Sequence, residues 1–457
     1  MISYEILASQ NPWWKGKENL KKDEDYLKWD EKKHKWVPSF IDRMELKPYS
    51  LHFLFGPRQV GKTTSLKLLI KKLLESGVRE EGIFYFRCDE VADFKELSGI
   101  IMSYLDLRER LGIKSSYIFL DEITFPKEWY RSVKSLIDAG KLKKDVMVLT
   151  GSTSLLVKKE VETFPGRRGH GKDFTLLPLS FRDFIKIADK GLHTKLPLPL
   201  KTLAENEIKQ KTAACLSLLD ELNALFEKYI RCGGFPLCIE SFLEKGEVER
   251  AAHEAYLAWL KNDIAKIGRS VNIARAVSKV LLTKIPSPVS WESIAKEIEI
   301  KSPKTVSAYV HLLNSLFVTL TLHHIDPHKA SISFGKNKKI HFLDPFFFDL
   351  FSQWCLVELK DVEPKIVEST VASHLARFSS RGGELGENVF YWRNKGEIDV
   401  VVSIDGLKGF EVKWGERARV KPRILGKMKQ LVFLSRDTFA EKPLVAPVSA
   451  FLACLDV

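Results

Sequence analysis

LHFLFGPRQVGKTTSLKLLIKKLL, residues 51–74, decides how the amino-terminal half of this chain is read. A short apolar run suited to a buried strand passes through a glycine-bearing turn into a Lys/Leu-rich helical pattern. The turn fills G-x-x-x-x-G-K-[ST], with Gly56, Pro57, Arg58, Gln59, Val60, Gly61, Lys62, Thr63 and Thr64 as the loop. Glycines let backbone amides wrap a β-phosphate, and the amino terminus of the following helix adds partial positive charge. Lys62 is expected to reach the β and γ phosphates of ATP, and Thr63 to offer its hydroxyl to Mg²⁺.

Outward from this loop, apolar runs alternate with amphipathic stretches: GIFYFRC, SYIFLDE and VMVLTGS follow, each after a helical pattern. That alternation predicts an α/β domain with a parallel sheet covered on both faces. Asp121 and Glu122 close the SYIFLDE run, where an open α/β sheet places its ligand chemistry. Asp121 is assigned to Mg²⁺ and Glu122 to the general base. Ser152 or Thr150, at the end of the next strand, would orient the attacking water or sense the γ-phosphate. In FPGRRGHG, residues 164–171, Arg167 or Arg168 reads either as a finger presented to a phosphate on a neighbouring subunit of a homo-oligomer, or as a solvated basic turn.

At 457 residues the chain is long enough for two to four domains, and 45% apolar with 29% charged residues describes a globular protein. Seventy-two Lys plus Arg against 59 Asp plus Glu leave +13, a balance that suits a polyanion such as nucleic acid as well as a merely solvated basic surface. The six cysteines lie far apart without a C-x-x-C pair, so no disulfide framework or zinc cluster is indicated. No apolar run approaches the ~18 residues that span a bilayer. No membrane partner is expected, and a cytoplasmic location is.

Beyond the phosphate loop, five segments are expected. Residues 1–45 form an extension packed through Trp13, Trp14 and Trp36, 46–190 the P-loop domain, 191–284 a helical segment, 285–343 a winged helix and 344–457 an α/β domain. In the fourth, SWESIAKEIEI and SPKTVSAYVHLLNSL read as helix-turn-helix, each opened by a Ser that can cap it, with a β-wing in LFVTLTLHHI and SISF. Lys304, Thr305 and Ser307 line its second helix as candidate DNA contacts. In the last, Glu368 on a helix, Asp399 on a strand, and Glu411 with Lys413 two apart on the next strand are expected on one face. Three carboxylates and a lysine can hold Mg²⁺ or Mn²⁺ against a phosphodiester. A basic run after that strand, including Arg417, Arg419, Lys421 and Arg423, would neutralise a phosphate backbone.

GPRQVGKTT, YIFLDEI, LTGSTS, Gly166-Arg167, PLSFRDF (178–184) and QNPWW (10–14) together resemble the archaeal and bacterial AAA-type ATPases that carry a winged helix and a carboxy-terminal nuclease-like domain. The resemblance implies a P-loop fold with a catalytic Glu beside the metal-binding Asp. The carboxy-terminal pattern is similar to the restriction-endonuclease-like fold, save that Glu397-Ile398 stands before Asp399 where the family has Pro. These readings converge on an ATPase that interacts with DNA, with two alternatives: an ATP-gated, metal-dependent nuclease, and a nucleotide-timed switch that never touches DNA.

Overall fold

A computed structural model describes residues 3–151, 164–380, 384–394, 396–415 and 426–457. The chain divides into two compact units, Met1–Leu177 and Pro178–Val457. The division falls within the expected 46–190 segment, and the Ser180-capped helix Phe181–Ala188 lies in the second unit.

In the first unit, strands β1 (Ser50–Phe55), β2 (Ile83–Arg87), β3 (Tyr117–Asp121), β4 (Val146–Gly151) and β5 (Asp173–Thr175) form one parallel sheet in the order β2-β3-β4-β1-β5. Every residue of β1 and β4 is buried, which is why these strands read as continuous apolar runs: both faces of the sheet are covered. Helices Lys62–Glu75, Phe94–Arg110 and Trp129–Asp138 make the crossovers.

The edge strand β2 would leave a row of unpaired backbone groups. The extension covers them with side chains. The Asn11 amide donates to Tyr85 O at 2.9 Å and accepts from Tyr85 N at 2.7 Å. Gln10 accepts from Arg87 N at 2.8 Å, and the Trp13 and Trp14 indoles both donate to Ile83 O. Trp13 and Trp14 are buried as expected, whereas Trp36 is half-buried and uses its carbonyl, which accepts from the Trp29 indole at 3.0 Å.

The second unit opens with helices, among them Leu219–Cys232, Pro236–Lys245, Arg250–Lys266 and Val271–Lys284. Gly234 ends the turn between the first two: a Cβ there would stand 2.2 Å from Leu179 O. Next come Trp291–Glu297 and Pro303–Ser315, then β6 (Thr319–Asp326), β7 (Ser331–Ile332) and β8 (Lys339–Phe342), with β6 antiparallel to both β7 and β8. Ser290 caps the first of those helices through its hydroxyl, but Ser302 makes no side-chain cap; Pro303 at the first position starts that helix instead.

Six further strands follow: β9 (Val389–Arg393), β10 (Glu397–Ser403), β11 (Leu407–Lys413), β12 (Met428–Ser435), β13 (Ala440–Glu441) and β14 (Leu444–Pro447). The expected boundary at 343/344 runs through continuous structure. β6 pairs with β9 through His323 and His324, so one sheet, β13-β14-β12-β11-β10-β9-β6-β7, contains strands from both sides of it. Helix Phe346–Cys355 lies in the same apolar core as Tyr256, Val277 and Val310, because Phe346, Phe347, Phe348 and Phe351 need burial that the sheet does not supply.

Candidate functional site

Gly56 closes β1 with φ +149°, and a Cβ there would lie 2.1 Å from Leu176 O, so only glycine fits this start of the loop. Gly61, at φ +99°, turns the chain into helix Lys62–Glu75. The Lys62 ammonium donates to Gly56 O at 2.9 Å and Pro57 O at 2.7 Å, which folds the lysine along the inside of the loop.

Because β4 lies between β1 and β3, the ends of the three strands meet. Asp121, fully buried, accepts from the Thr63 hydroxyl at 2.7 Å, from the Tyr85 hydroxyl at 3.0 Å, and from the Thr150 hydroxyl. Thr150 in turn accepts from Glu122 N at 2.9 Å. Of the Thr150/Ser152 pair, Thr150 stands at the carboxylates, and Ser152 lies outside the described residues.

Glu122 takes a left-handed backbone conformation, φ +53°. Burial pushes its carboxyl above the ordinary glutamate range, with the Lys62 charge pulling the other way. Its Oε2 is buried and has no hydrogen-bond partner among the described residues. A buried acceptor without a donor is costly unless water or ligand supplies one. An oxygen donor set of Thr63 and Asp121 beside a phosphate cradle suits Mg²⁺, so these residues fit the nucleotide and its ion.

Arg167 is ion-paired to Asp138, with Nε to Oδ1 at 2.6 Å and Nη2 to Oδ2 at 3.2 Å, and Arg168 is paired to Asp173. Each guanidinium has a partner within its own chain.

In the second unit, the structure brings Glu368 and Asp399 together but not as a bare set of oxygens. Lys339 on β8 stands among them: its ammonium lies 2.6 Å from Glu368 Oε1, 2.8 Å from Glu397 Oε1 and 2.9 Å from Asp399 Oδ1. Asp399 also accepts from Val412 N at 2.8 Å. Glu411 is paired instead with Lys413 at 2.7 Å, and burial raises its carboxyl. Among the described residues, no group of three or more His, Cys, Asp or Glu side chains is arranged to hold a metal ion. Of the expected set, Glu368 and Asp399 are thus ion-paired to Lys339, and Glu411 to Lys413. Neither Lys339 nor Glu397 was singled out from the sequence. Lys339 is the one lysine of the strand KIHF, all four residues of which are buried, and a buried lysine demands carboxylate partners.

On helix Pro303–Ser315, Lys304 is exposed and Thr305 and Ser307 are half-buried, while Val306, Val310 and Leu313 pack inward. Arg417, Arg419, Lys421 and Arg423 lie outside the described residues. No described helix is long and apolar enough to cross a membrane.

Residues 49–185 match the family model described as an AAA domain, and 223–353 match a domain of unknown function (DUF8612). No curated protein matches the sequence. Among solved structures, the Aeropyrum pernix ORC1 protein in complex with DNA is 15% identical, with 75% of this chain and 96% of that one covered at a TM-score of 0.29. The Aeropyrum pernix ORC2 protein in ADPNP–ADP complexes is 11% identical, with 70% and 96% covered at 0.36. CDC6P from Pyrobaculum aerophilum is 14% identical, with 69% and 90% covered at 0.25. Scores this low support no argument about this chain. The AAA match and the parallel sheet with its phosphate loop agree in making residues 49–185 an AAA-type P-loop domain.

Proposed function

We propose that this chain hydrolyses ATP to ADP and phosphate with Mg²⁺, and that it acts on nucleic acid, DNA in our reading. The observation that carries the first part is the meeting of Lys62, Thr63, Asp121, Glu122 and Thr150 at the ends of β1, β3 and β4. Thr63 and Asp121 would hold the ion, which neutralises charge on the β and γ phosphates when bound. Glu122, raised by burial and missing a partner at Oε2, would take the proton of the attacking water. Lys62 would exchange its loop carbonyls for phosphate oxygens.

Support for the second part is the net charge of +13 and the exposed Lys304 on a helix that follows another across a short turn, with an antiparallel hairpin after it. We read residues 285–343 as a winged helix on that arrangement. In the oligomeric version of this reading, Arg167 would leave Asp138 for a neighbouring subunit's phosphate, and Arg167→Ala would slow turnover without weakening ATP binding.

The test is ATP turnover and DNA binding by wild type, Lys62→Ala and Lys304→Glu. Turnover that needs Mg²⁺ and vanishes in Lys62→Ala, with salt-sensitive DNA binding weakened in Lys304→Glu, is the expected result. Turnover untouched by DNA, with no DNA bound at low salt, would leave the nucleotide-timed switch as the better reading.

A further inference from the structure

The acid cluster of the second unit has the residues that a nuclease-like reading asks for, yet its centre is taken. Glu368 comes from helix Glu363–Ser379, Glu397 and Asp399 from β10, and Lys339 from β8. The lysine is 1% exposed, and its ammonium makes close ion pairs with an oxygen of each of the three carboxylates. Three short contacts from a single buried cation are what a small ion in that cluster would otherwise make.

We infer that the Lys339 ammonium is the resident cation of this cluster, and that the cluster therefore takes no divalent metal and does not cut phosphodiesters.

A divalent ion needs oxygen ligands on several sides at about 2.0–2.6 Å, and the ammonium stands where those ligands converge. To make room, Lys339 would have to carry its charge out of a buried site while its backbone stays locked. Lys339 lies opposite Leu322 of β6, and its neighbours Ile340 and His341 are fully buried. Leaving would also strip the buried Asp399 and the part-buried Glu368 and Glu397 of their counter-charge, which is more costly than keeping a pair that is already formed. One ammonium cannot balance three carboxylates, and the imbalance falls on Glu368: burial and the Asp399 charge push its carboxyl up to about 8. The cluster is closed by its own side chains, and it ties β8 to β10 and to helix Glu363–Ser379.

The test is Mn²⁺ binding to the full, nucleotide-free chain, followed by the electron paramagnetic resonance signal of free Mn²⁺. Wild type and Asp399→Asn are expected to bind the same number of ions, so that any ion held at the phosphate loop cancels. Lys339→Ala is expected to gain one site that Lys339→Ala/Asp399→Asn lacks. A wild-type site that disappears in Asp399→Asn overturns the inference, and so does a folded Lys339→Ala chain that binds no more Mn²⁺ than wild type. Should Lys339→Ala fail to fold, the wild-type and Asp399→Asn titrations decide the matter alone. A parallel incubation with linear and single-stranded DNA in Mn²⁺ is expected to leave both uncut; cleavage lost in Asp399→Asn overturns it equally.

Discussion

The Tyr85 hydroxyl donates to Asp121 Oδ2 across 3.0 Å while the backbone N–H and C=O of the same tyrosine are held by the Asn11 side chain. Its ring lies 3.0 Å from the Lys67 ammonium, and Lys67 reaches Asp23 at 2.9 Å. The extension thus fixes a strand, the strand fixes a tyrosine, and the tyrosine orients the carboxylate assigned to Mg²⁺. Tyr85 is a positioning residue in this arrangement. A hydrogen bond to a charged group contributes about 1.5–3 kcal/mol, so Tyr85→Phe is expected to raise the Mg²⁺ concentration needed for half-maximal turnover by roughly tenfold or more. Binding of a fluorescent ATP analogue without Mg²⁺ should change little. Equal losses with and without Mg²⁺ would mean a merely structural role.

Glu122→Gln should keep nucleotide binding and lose turnover by about 10²- to 10⁴-fold, the usual contribution of a general base. The wild-type pH profile carries a second mark. Only the deprotonated carboxyl accepts a proton, and burial holds this carboxyl above the ordinary glutamate range. Turnover should therefore rise with pH through a midpoint higher than that of an exposed glutamate. Stopped-assay rates across the acid range check this, and an acid limb at the ordinary glutamate position would remove Glu122 from the role.

The Lys67–Asp23 pair offers a test of the extension itself. Lys67 is almost wholly buried, and burial pulls its ammonium below the ordinary lysine range, with Asp23 as the main opposing charge. Asp23→Ala leaves that charge without its counter-ion, and breaking a buried pair on one side typically costs about 3–5 kcal/mol. Lys67→Met, which removes the charge and keeps the apolar stem, should cost less. Urea unfolding of the two variants checks the order, and an Asp23→Ala chain as stable as wild type would mean the Lys67–Asp23 pair adds nothing.

The phosphate loop, Asp121, Glu122 and the strands β9 to β11 were legible in sequence for the same reason: each depends on neighbours a few residues away, where spacing and period carry the message. Lys339 was not legible, because its partner Asp399 lies 60 residues off and its own strand of four residues is too short to show a period. The continuity of sheet and core across 343/344 was hidden for a similar reason. A helix that begins with three phenylalanines looks like the start of a new domain until its core neighbours, such as Tyr256, are known. Gln10 and Asn11 stand in a motif whose tryptophans drew the eye, yet they hold the backbone of β2. Side chains that bond to backbone leave no periodic trace.

His253 and Asp349 give the second unit a pH-dependent tie. The imidazole Nε2 lies 2.6 Å from Asp349 Oδ2, and Nδ1 lies 3.1 Å from Glu249 O. Burial alone would lower the histidine, but the Asp349 carboxylate and the Glu249 carbonyl together outweigh it and the net shift is upward; burial would raise Asp349, and the His253 and Gln353 contacts bring it down. The histidine's contribution is complete below its unfolded value of about 6.5 and is lost as pH rises through the higher folded value. The aspartate's contribution is present above about 3.9 and lost as pH falls through its lower folded value. The pair therefore stabilises most between those limits. Asp349 is half-exposed, so solvent screening limits the gain to about 1 kcal/mol at most. Urea unfolding at pH 5.5 and at pH 8.5, in wild type and His253→Gln, should show wild type ahead at the lower pH with the gap closing at the higher. A gap that stays constant would mean the contact contributes through packing and not through charge.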